Sequence, residues 1–488
     1  MGVKKSNYSI IVHYLILLWV IYLVVFLKLG SFHMRWWDES MFAVNTYEMI
    51  ESGDYFSFSY NGKPDLYNTK PPLTNWLQIL FVKIFGYNEL SLRLPSALAA
   101  CFSIIFIFKF TAKYFGYILA WLSALVLLTS TGFIGYHTAR TADSDSLLTF
   151  FLLITNLSFI GFILNDKKSN VLIFFIFITL AFNTKLYAAF LFIPAYIFIL
   201  IYFKKFKKFV VNKIFLFGLL FFLISSVSII YLREIESPGY LSKIFFNDAG
   251  RLFNALEVHS RSSFYYLDNL FSSHFSFWII FFILGSILIF HINKNTKYTI
   301  LFSTFVLVVS YLLIITLSLT KLQWYDMPIF PYLALVSGFS IHFFIKKVLG
   351  SKNKSDQIKQ YSMVILVSIY PFLIMFGKSQ ANTIGLGERL QEADELYLFN
   401  AIKKDENLNG IKVLFHGWNG GLLFYKYKLL ANDQEIELHT NIKDFHINDK
   451  ILVSNDSLKI VLEDSFSLEK LSEYHASKLY RIKDIKEK

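Results

Sequence analysis

The sequence predicts an all-α polytopic membrane protein with a small α/β domain at its C-terminal end, and three observations carry that expectation. Hydrophobic residues make up 55% of the 488 positions and charged residues 17%, with a mean hydropathy of +0.48. That is more apolar surface than a water-facing shell can accommodate. Apolar runs long enough to cross about 30 Å of hydrocarbon recur through residues 1–377. From 378 onward the composition turns to mixed charge and short strand-like runs.

The apolar runs fall at 9–30, 94–115, 117–136, 146–164, 170–183, 186–203, 213–232, 274–292, 298–318, 327–347 and 359–377. This gives about eleven spans. The first lacks a small-residue cleavage site and is too long for a signal-peptide core, so it is expected to stay as an anchor. The run at 170–183 is short and open to pairing with the next as a re-entrant hairpin. The tail, 378–488, carries candidate strands at 412–415 and 450–453 with Gly417, Gly420 and Gly421 between apolar segments, which reads as a small α/β domain. Its roughly 110 residues suffice for a modest core. The expected division is therefore 1–377 and 378–488.

Charge sets the orientation. Lysines cluster at 4–5, 109–113, 167–168, 204–213, 294–297 and 346–359, which share one side if the spans alternate. By the positive-inside rule that side is the cytoplasm. The net charge of +12 therefore reports topology and calls for no nucleic-acid partner. The 54 Phe and 29 Tyr travel with abundant Ile, Lys and Asn, a compositional bias that lipid tolerates. The single cysteine, Cys101, excludes an intrachain disulfide and a thiolate metal cage and reads as packing.

The opposite side receives the loop 31–93, the link 137–145, the link at Lys185, the loop 233–273, the link 320–326 and the tail. In the first loop Asp38 and Glu39 follow Arg35 and two tryptophans, a composition suited to a helix at the membrane interface and to an acid held at the depth of a lipid phosphate. The other reading of Asp38 is a cap for the helix that starts at Glu39. Lys70-Pro71-Pro72 starts a helix whose N-terminal amides favour an anion, with the lysine adding a full charge. The other reading is a lysine snorkelling from a helix start. Arg93 follows in the same loop. In Arg140-Thr141-Ala142-Asp143-Ser144-Asp145 two acids and an arginine stand at the lipid boundary, costly unless paired or used, although Asp145 also suits a cap. Lys185, Lys321, His259, Arg261, Tyr265, Tyr266, Trp324 and Tyr325 on the same side fit a phosphate and sugar site without being diagnostic.

The pieces WWDESMFAVNTYEMIESGDY, NGKP, KPPLTNW, ELSLRLPSALAA, ARTADSDSLLTFF, NTKLYAAFLFIPAY and TKLQWYDMPIFPYLAL, in this order, resemble the GT-C superfamily of membrane glycosyltransferases. Within it they resemble glycosyltransferase family 39 and the aminoarabinose-transferase-like group that includes protein O-mannosyltransferases. The resemblance covers residues 9–345. It implies a GT-C fold with interfacial helices in the first outer loop, in a bacterial inner membrane, with the N-terminus cytoplasmic and the C-terminal domain periplasmic. It also implies transfer of a sugar from a polyprenyl-phosphate donor to a lipid, glycan or protein acceptor. On this resemblance Asp38 is the general base, Glu39 places the acceptor, and Asp143 and Asp145 line the cavity. Lys70 holds the donor phosphate, Arg93 either pairs with these acids or contacts phosphate, Lys185 and Lys321 are further cations, and His259, Arg261, Tyr265 and Tyr325 are weaker substrate contacts. The aminoarabinose branch carries a glutamate before its KPP lysine, where this chain has Thr69; that departure lowers the expectation of a metal and of aminoarabinose as the sugar. No cofactor is required on this reading and no metal site is predicted.

The expected mechanism is a single displacement with inversion, Asp38 acting as base and the lipid phosphate leaving toward Lys70. Two alternatives are a transporter or flippase of lipid-linked sugars and a ligase of whole glycans. Charges concentrated in outer links rather than at mid-span weigh against the first. The long loop 233–273 leaves the second open.

Overall fold

A computed structural model describes residues 7–135, 137–250, 259–350, 353–381 and 392–486. It resolves into two compact units. One comprises Met1–Leu27, Leu66–Thr74 and Pro95–Ile384, and the other Lys28–Asp65, Asn75–Leu94 and Gly385–Lys488. The division thus falls elsewhere than at 377/378: the last apolar helix continues to Ala381, and most of the first outer loop groups with the C-terminal segment.

Among the described residues seven helices are long and apolar enough to cross a membrane: Glu89–Phe115, Asp145–Asn165, Lys168–Phe190, Lys213–Glu236, Thr296–Leu317, Gln323–Leu349 and Lys354–Ala381. Counting the bent pair Tyr265–His274 and Ile279–Ile289, which turns by 117°, as one span makes eight. The other expected runs form shorter helices. The first gives Ile10–Phe26, ending in a π turn. The run at 117–136 stops at Leu128, where Thr129 and Ser130 bond back to carbonyls of the preceding turn. The run at 186–203 breaks between a 3-10 turn, Leu186–Phe190, and a helix that Pro194 starts at Ile193. The short run at 170–183 is no hairpin arm, because its helix reaches 23 residues once the flanks and the 3-10 turn are included. Protein covers 78% of the apolar window of Asp145–Asn165 and of Gln323–Leu349, against 11% for Lys213–Glu236. The first two are central, and the last presents its sides to lipid.

The second unit, called the outer unit after the side that the lysine distribution predicts for it, is built on a five-stranded sheet of order β4-β3-β5-β7-β6. It is preceded in the chain by a small hairpin, β1 (Ser59–Tyr60) and β2 (Lys63–Pro64). Strands β3 (Ile411–Leu414), β4 (Ile436–His439) and β5 (Lys450–Val453) are parallel, whereas β6 (Phe466–Tyr474) and β7 (Ser477–Ile485) close the sheet antiparallel. Helix Gly420–Leu430 crosses from β3 to β4 and Asp456–Ser465 links β5 to β6. Leu414, Ile451, Val453, Leu462, Phe466 and Ile482 form its dry centre. This matches the small α/β domain expected from the alternating apolar runs.

Helix Asp38–Ser52 departs from the expected interfacial helix. Residues 39–46, 48 and 49 are all buried, so no continuous apolar face is left for headgroups. Its polar residues are satisfied by the second helix of the loop, Leu73–Phe85: Asn75 donates to the Phe42 carbonyl at 3.1 Å and to Thr46 Oγ1 at 2.9 Å, and Thr46 donates to Gln78 at 2.7 Å. That second helix does keep an exposed apolar edge in Leu80, Ile84 and Phe85, the pattern of a helix resting on lipid.

Candidate active site

In the outer unit the acidic pair sits in the first turn of helix Asp38–Ser52, directly after Trp37, whose φ of 73° turns the chain sharply into the helix. A non-glycine residue in that region is strained and persists only where its surroundings fix it. They do so here with rings: Trp37 lies 5.1 Å from Trp36 and 4.9 Å from Trp418, and Trp418 lies 5.1 Å from Tyr60.

The two acids of the pair have different environments. Glu39 is fully buried and receives Arg93 through two bonds, Nε to Oε1 at 2.7 Å and Nη2 to Oε2 at 3.0 Å, together with the Arg35 amide at 2.7 Å. Arg93 sends its other protons to the carbonyls of Leu29, Phe32 and His33 at 2.7–3.0 Å. All five guanidinium donors are then engaged. Of its two expected roles Arg93 therefore takes the pairing with an acid and has no donor left for a phosphate, and Glu39 is its counter-charge and not an acceptor-placing group. Asp38 is half-buried at the positive end of the helix dipole, where a carboxylate is favoured.

Glu392, which no sequence pattern marked, accepts from His33 Nε2 at 2.6 Å, from the Trp36 amide at 2.7 Å and from Arg35 at 3.4 Å. It fixes the approach to the acidic pair from the start of the C-terminal segment.

In the membrane unit the Lys70 loop is held by its backbone. Arg233, fully buried at the end of helix Lys213–Glu236, donates to the carbonyls of Asn68 and Lys70. Tyr240, whose ring lies 4.0 Å from that guanidinium, donates to the Thr69 carbonyl at 2.8 Å. The sequence offered one signal for Arg233, a cation closing an apolar run, and none for Tyr240.

The link 137–145 contributes a second cluster in this unit. Asp145 opens helix Asp145–Asn165 and takes Lys185 Nζ at 2.6 Å, with Lys185 also 5.1 Å from the Tyr325 ring. Asp143 is buried, its carboxylate 3.1 Å from His137 Nδ1, and His137 stacks on Trp324 at 3.8 Å. The structure thus brings Asp143, Asp145, Lys185, Trp324 and Tyr325 together and adds His137. Arg140 turns away to donate to the carbonyls of Val24, Val25 and Leu27 at 2.8–3.0 Å, satisfying the end of the first apolar helix.

The weaker candidates divide. Lys321 is buried and donates Nζ to the Ser318 carbonyl at 2.5 Å, while its amide bonds the His259 carbonyl at 3.0 Å. His259 therefore joins this link through its backbone. Arg261 is exposed and makes no hydrogen bond or ion pair among the described residues, so it gains no support as a substrate contact. Tyr265 is only half-buried; its neighbour Tyr266 is the buried ring, bonded to the Leu322 carbonyl at 3.2 Å. Residues 251–258 of the same loop lie outside the described residues.

The chain is similar to several known proteins. Residues 69–231 match the family profile described as dolichyl-phosphate-mannose-protein mannosyltransferase. Over 144 residues, 30% of this chain and 21% of the relative, the chain is 31% identical to YycA of Bacillus subtilis (strain 168), a protein with a provisional mannosyltransferase name. Over 147 residues, 30% of this chain and 26% of the relative, it is 29% identical to an undecaprenyl phosphate-alpha-4-amino-4-deoxy-L-arabinose arabinosyl transferase of Pseudomonas savastanoi pv. phaseolicola (strain 1448A / Race 6). The match thus spans about a fifth to a quarter of the length of these two curated relatives. The crystal structure of ArnT from Cupriavidus metallidurans bound to undecaprenyl phosphate superposes with a TM-score of 0.70 at 14% identity, covering 98% of each chain. The chain is thus similar over residues 69–231 to the dolichyl-phosphate-mannose-protein mannosyltransferase profile, and over nearly its whole length it shares the fold of ArnT.

Proposed function

We propose that the protein transfers a sugar from a polyprenyl-phosphate carrier to an acceptor hydroxyl at the outer face of the bacterial inner membrane. The observation that carries the reading is the unequal acidic pair. Arg93 holds Glu39 with both carboxylate oxygens and has no proton left over. The arginine therefore does not neutralise Asp38, which serves as the base.

In the reaction the Asp38 carboxylate takes the proton of the acceptor hydroxyl as its oxygen bonds the anomeric carbon. The bond from that carbon to the phosphate oxygen breaks on the opposite face, and the electron pair leaves with polyprenyl phosphate. A single displacement of this kind inverts the anomeric centre. Lys70 meets the departing charge from a loop whose carbonyls are pinned by Arg233 and Tyr240. On the same reading Asp143, which pairs with His137, and Asp145, which pairs with Lys185, would contact the donor. The reading asks for no resident cofactor. Whether the sugar is a hexose or a pentose, and whether the acceptor is lipid, glycan or protein, is what the assay must identify.

The test uses the full chain in nanodiscs with radiolabelled undecaprenyl-phosphate monosaccharides and envelope extract. One donor is expected to give free undecaprenyl phosphate and a labelled acceptor with the wild type and not with Asp38→Asn. Label that crosses the bilayer equally in both, with no donor consumed, would make the chain a carrier of lipid-linked sugars. A product of retained configuration would overturn the single displacement.

A further inference from the structure

Building on the transferase reading, we infer that the outer unit contains a separate saccharide pocket, at the carboxyl ends of β3 and β4, that takes an anionic sugar of the acceptor. Carboxyl ends of parallel strands are where open α/β sheets hold ligands. There a cavity of about 420 Å³ lies between the loop after β3, the end of β4 and the turn of the β1–β2 hairpin. That volume falls within the about 300–1,000 Å³ usual for small-molecule sites.

The hairpin turn is built to stay in place. Asn61 and Gly62 have φ of 53° and 72°, the two left-handed residues of a type I′ turn, for which Asn-Gly is the favoured pair. The Gly62 amide bonds the Glu48 carboxylate at 3.2 Å, and Tyr60 Oη donates to Asn419 Oδ1 at 2.8 Å. Hairpin and loop are thereby tied together at a residue, Asn419, that lines the cavity.

The lining is that of a sugar site. Asn61 and Asn419 offer carboxamides and Thr440 a hydroxyl, groups that pair with adjacent sugar hydroxyls, while Phe415 supplies a ring and Gly417 an open stretch of backbone. The charge is one-sided: Lys426 lines the cavity and no carboxylate does. Lys428, two residues on, is bonded to Glu89 at 2.6 Å, whereas Lys426 makes no ion pair or hydrogen bond among the described residues. A lone cation among neutral hydrogen-bonding groups selects a saccharide carrying a carboxylate or a phosphate. The loop that lines the cavity also carries Trp418, which packs on Trp37, the residue before Asp38.

Titration calorimetry on the full chain in nanodiscs, with no donor present, tests the pocket apart from the transfer reaction. The probes are a hyaluronan tetrasaccharide, mannose 6-phosphate and neutral maltotetraose. One anionic probe is expected to bind and the neutral one to bind at least about tenfold more weakly, the contribution of one charge-assisted contact. Lys426→Gln and Thr440→Glu should each weaken the anionic probe by a similar factor, Lys426→Arg should retain it, and the melting temperature should not move. Which anionic probe binds separates carboxylate from phosphate. Equal affinity for charged and neutral probes, binding unchanged in both weakening variants, or no binding overturns the inference. If binding behaves as expected but the chain transfers no sugar, the pocket stands and its assignment to an acceptor falls with the transferase reading.

Discussion

Glu39 and Asp38 are neighbours in sequence, yet their environments predict opposite failures on substitution. Glu39→Gln removes the counter-charge of a buried guanidinium. Breaking a buried pair from one side costs about 3–5 kcal/mol, so the variant should melt well below the wild type in nanodiscs. Asp38→Asn leaves the pair between Arg93 and Glu39 untouched and should melt like the wild type, while kcat falls by about 10²–10⁴, the usual contribution of a general base. A Glu39→Gln protein with full stability would show that the arginine is neutralised elsewhere. A normal kcat in Asp38→Asn would remove the base from the mechanism. The acidic pair was legible in the sequence, and the resemblance put the base on Asp38, but which acid Arg93 holds was not legible. That depends on Arg93 folding back from 54 positions away, and spacing does not encode which acid it reaches.

At the scale of elements, the Lys70 loop tests how a phosphate clamp is held. Arg233 reaches two carbonyls at once, which a planar fork does and an ammonium does not. Arg233→Lys should therefore raise the donor KM by up to about tenfold, the value of roughly one lost hydrogen bond, and leave the melting temperature nearly unchanged. A fall in kcat alone would place the loop outside donor binding. The outer unit gives a second test through helix Ala393–Lys403. Burial pushes the Glu395 carboxyl well above its usual range, and the neighbouring Asp394 charge adds to the rise. An acid whose folded pKa is raised is protonated in the fold where it would ionise in the open chain, so its stabilisation is complete in acid and is lost as pH rises. Glu395→Gln should match the wild type near pH 4 and melt higher than it near pH 8. Equal melting curves at both pH values would mean that the carboxylate finds compensation when charged. Helices and the small sheet were legible because apolar periodicity dictates them. The missing spans were not, because breaks at Thr129 and at Pro194 sit inside runs that hydropathy averages over.

At the scale of the whole molecule, the chain passes repeatedly between its two units, so the outer unit is assembled from 28–65, 75–94 and 385–488. A sequence read left to right sees a loop and a tail; the bonds of Glu392 to His33 and Trp36, and of Lys428 to Glu89, join them within one unit. Such contacts connect positions more than 300 residues apart, and no local pattern announces them. Orientation is the remaining question of this scale, and a single cysteine makes it measurable. With Cys101 changed to Ala, one cysteine is introduced at the exposed Asn407 of the outer unit, or at the exposed Lys207 between two apolar helices. The lysine cluster around 204–213 assigns Lys207 to the cytoplasm by the positive-inside rule. In intact spheroplasts a membrane-impermeant maleimide should label Asn407→Cys at once and Lys207→Cys only after permeabilisation. The opposite pattern would put the acidic pair in the cytoplasm, where nucleotide-activated sugars are at hand, and would remove the reason for a lipid-linked donor.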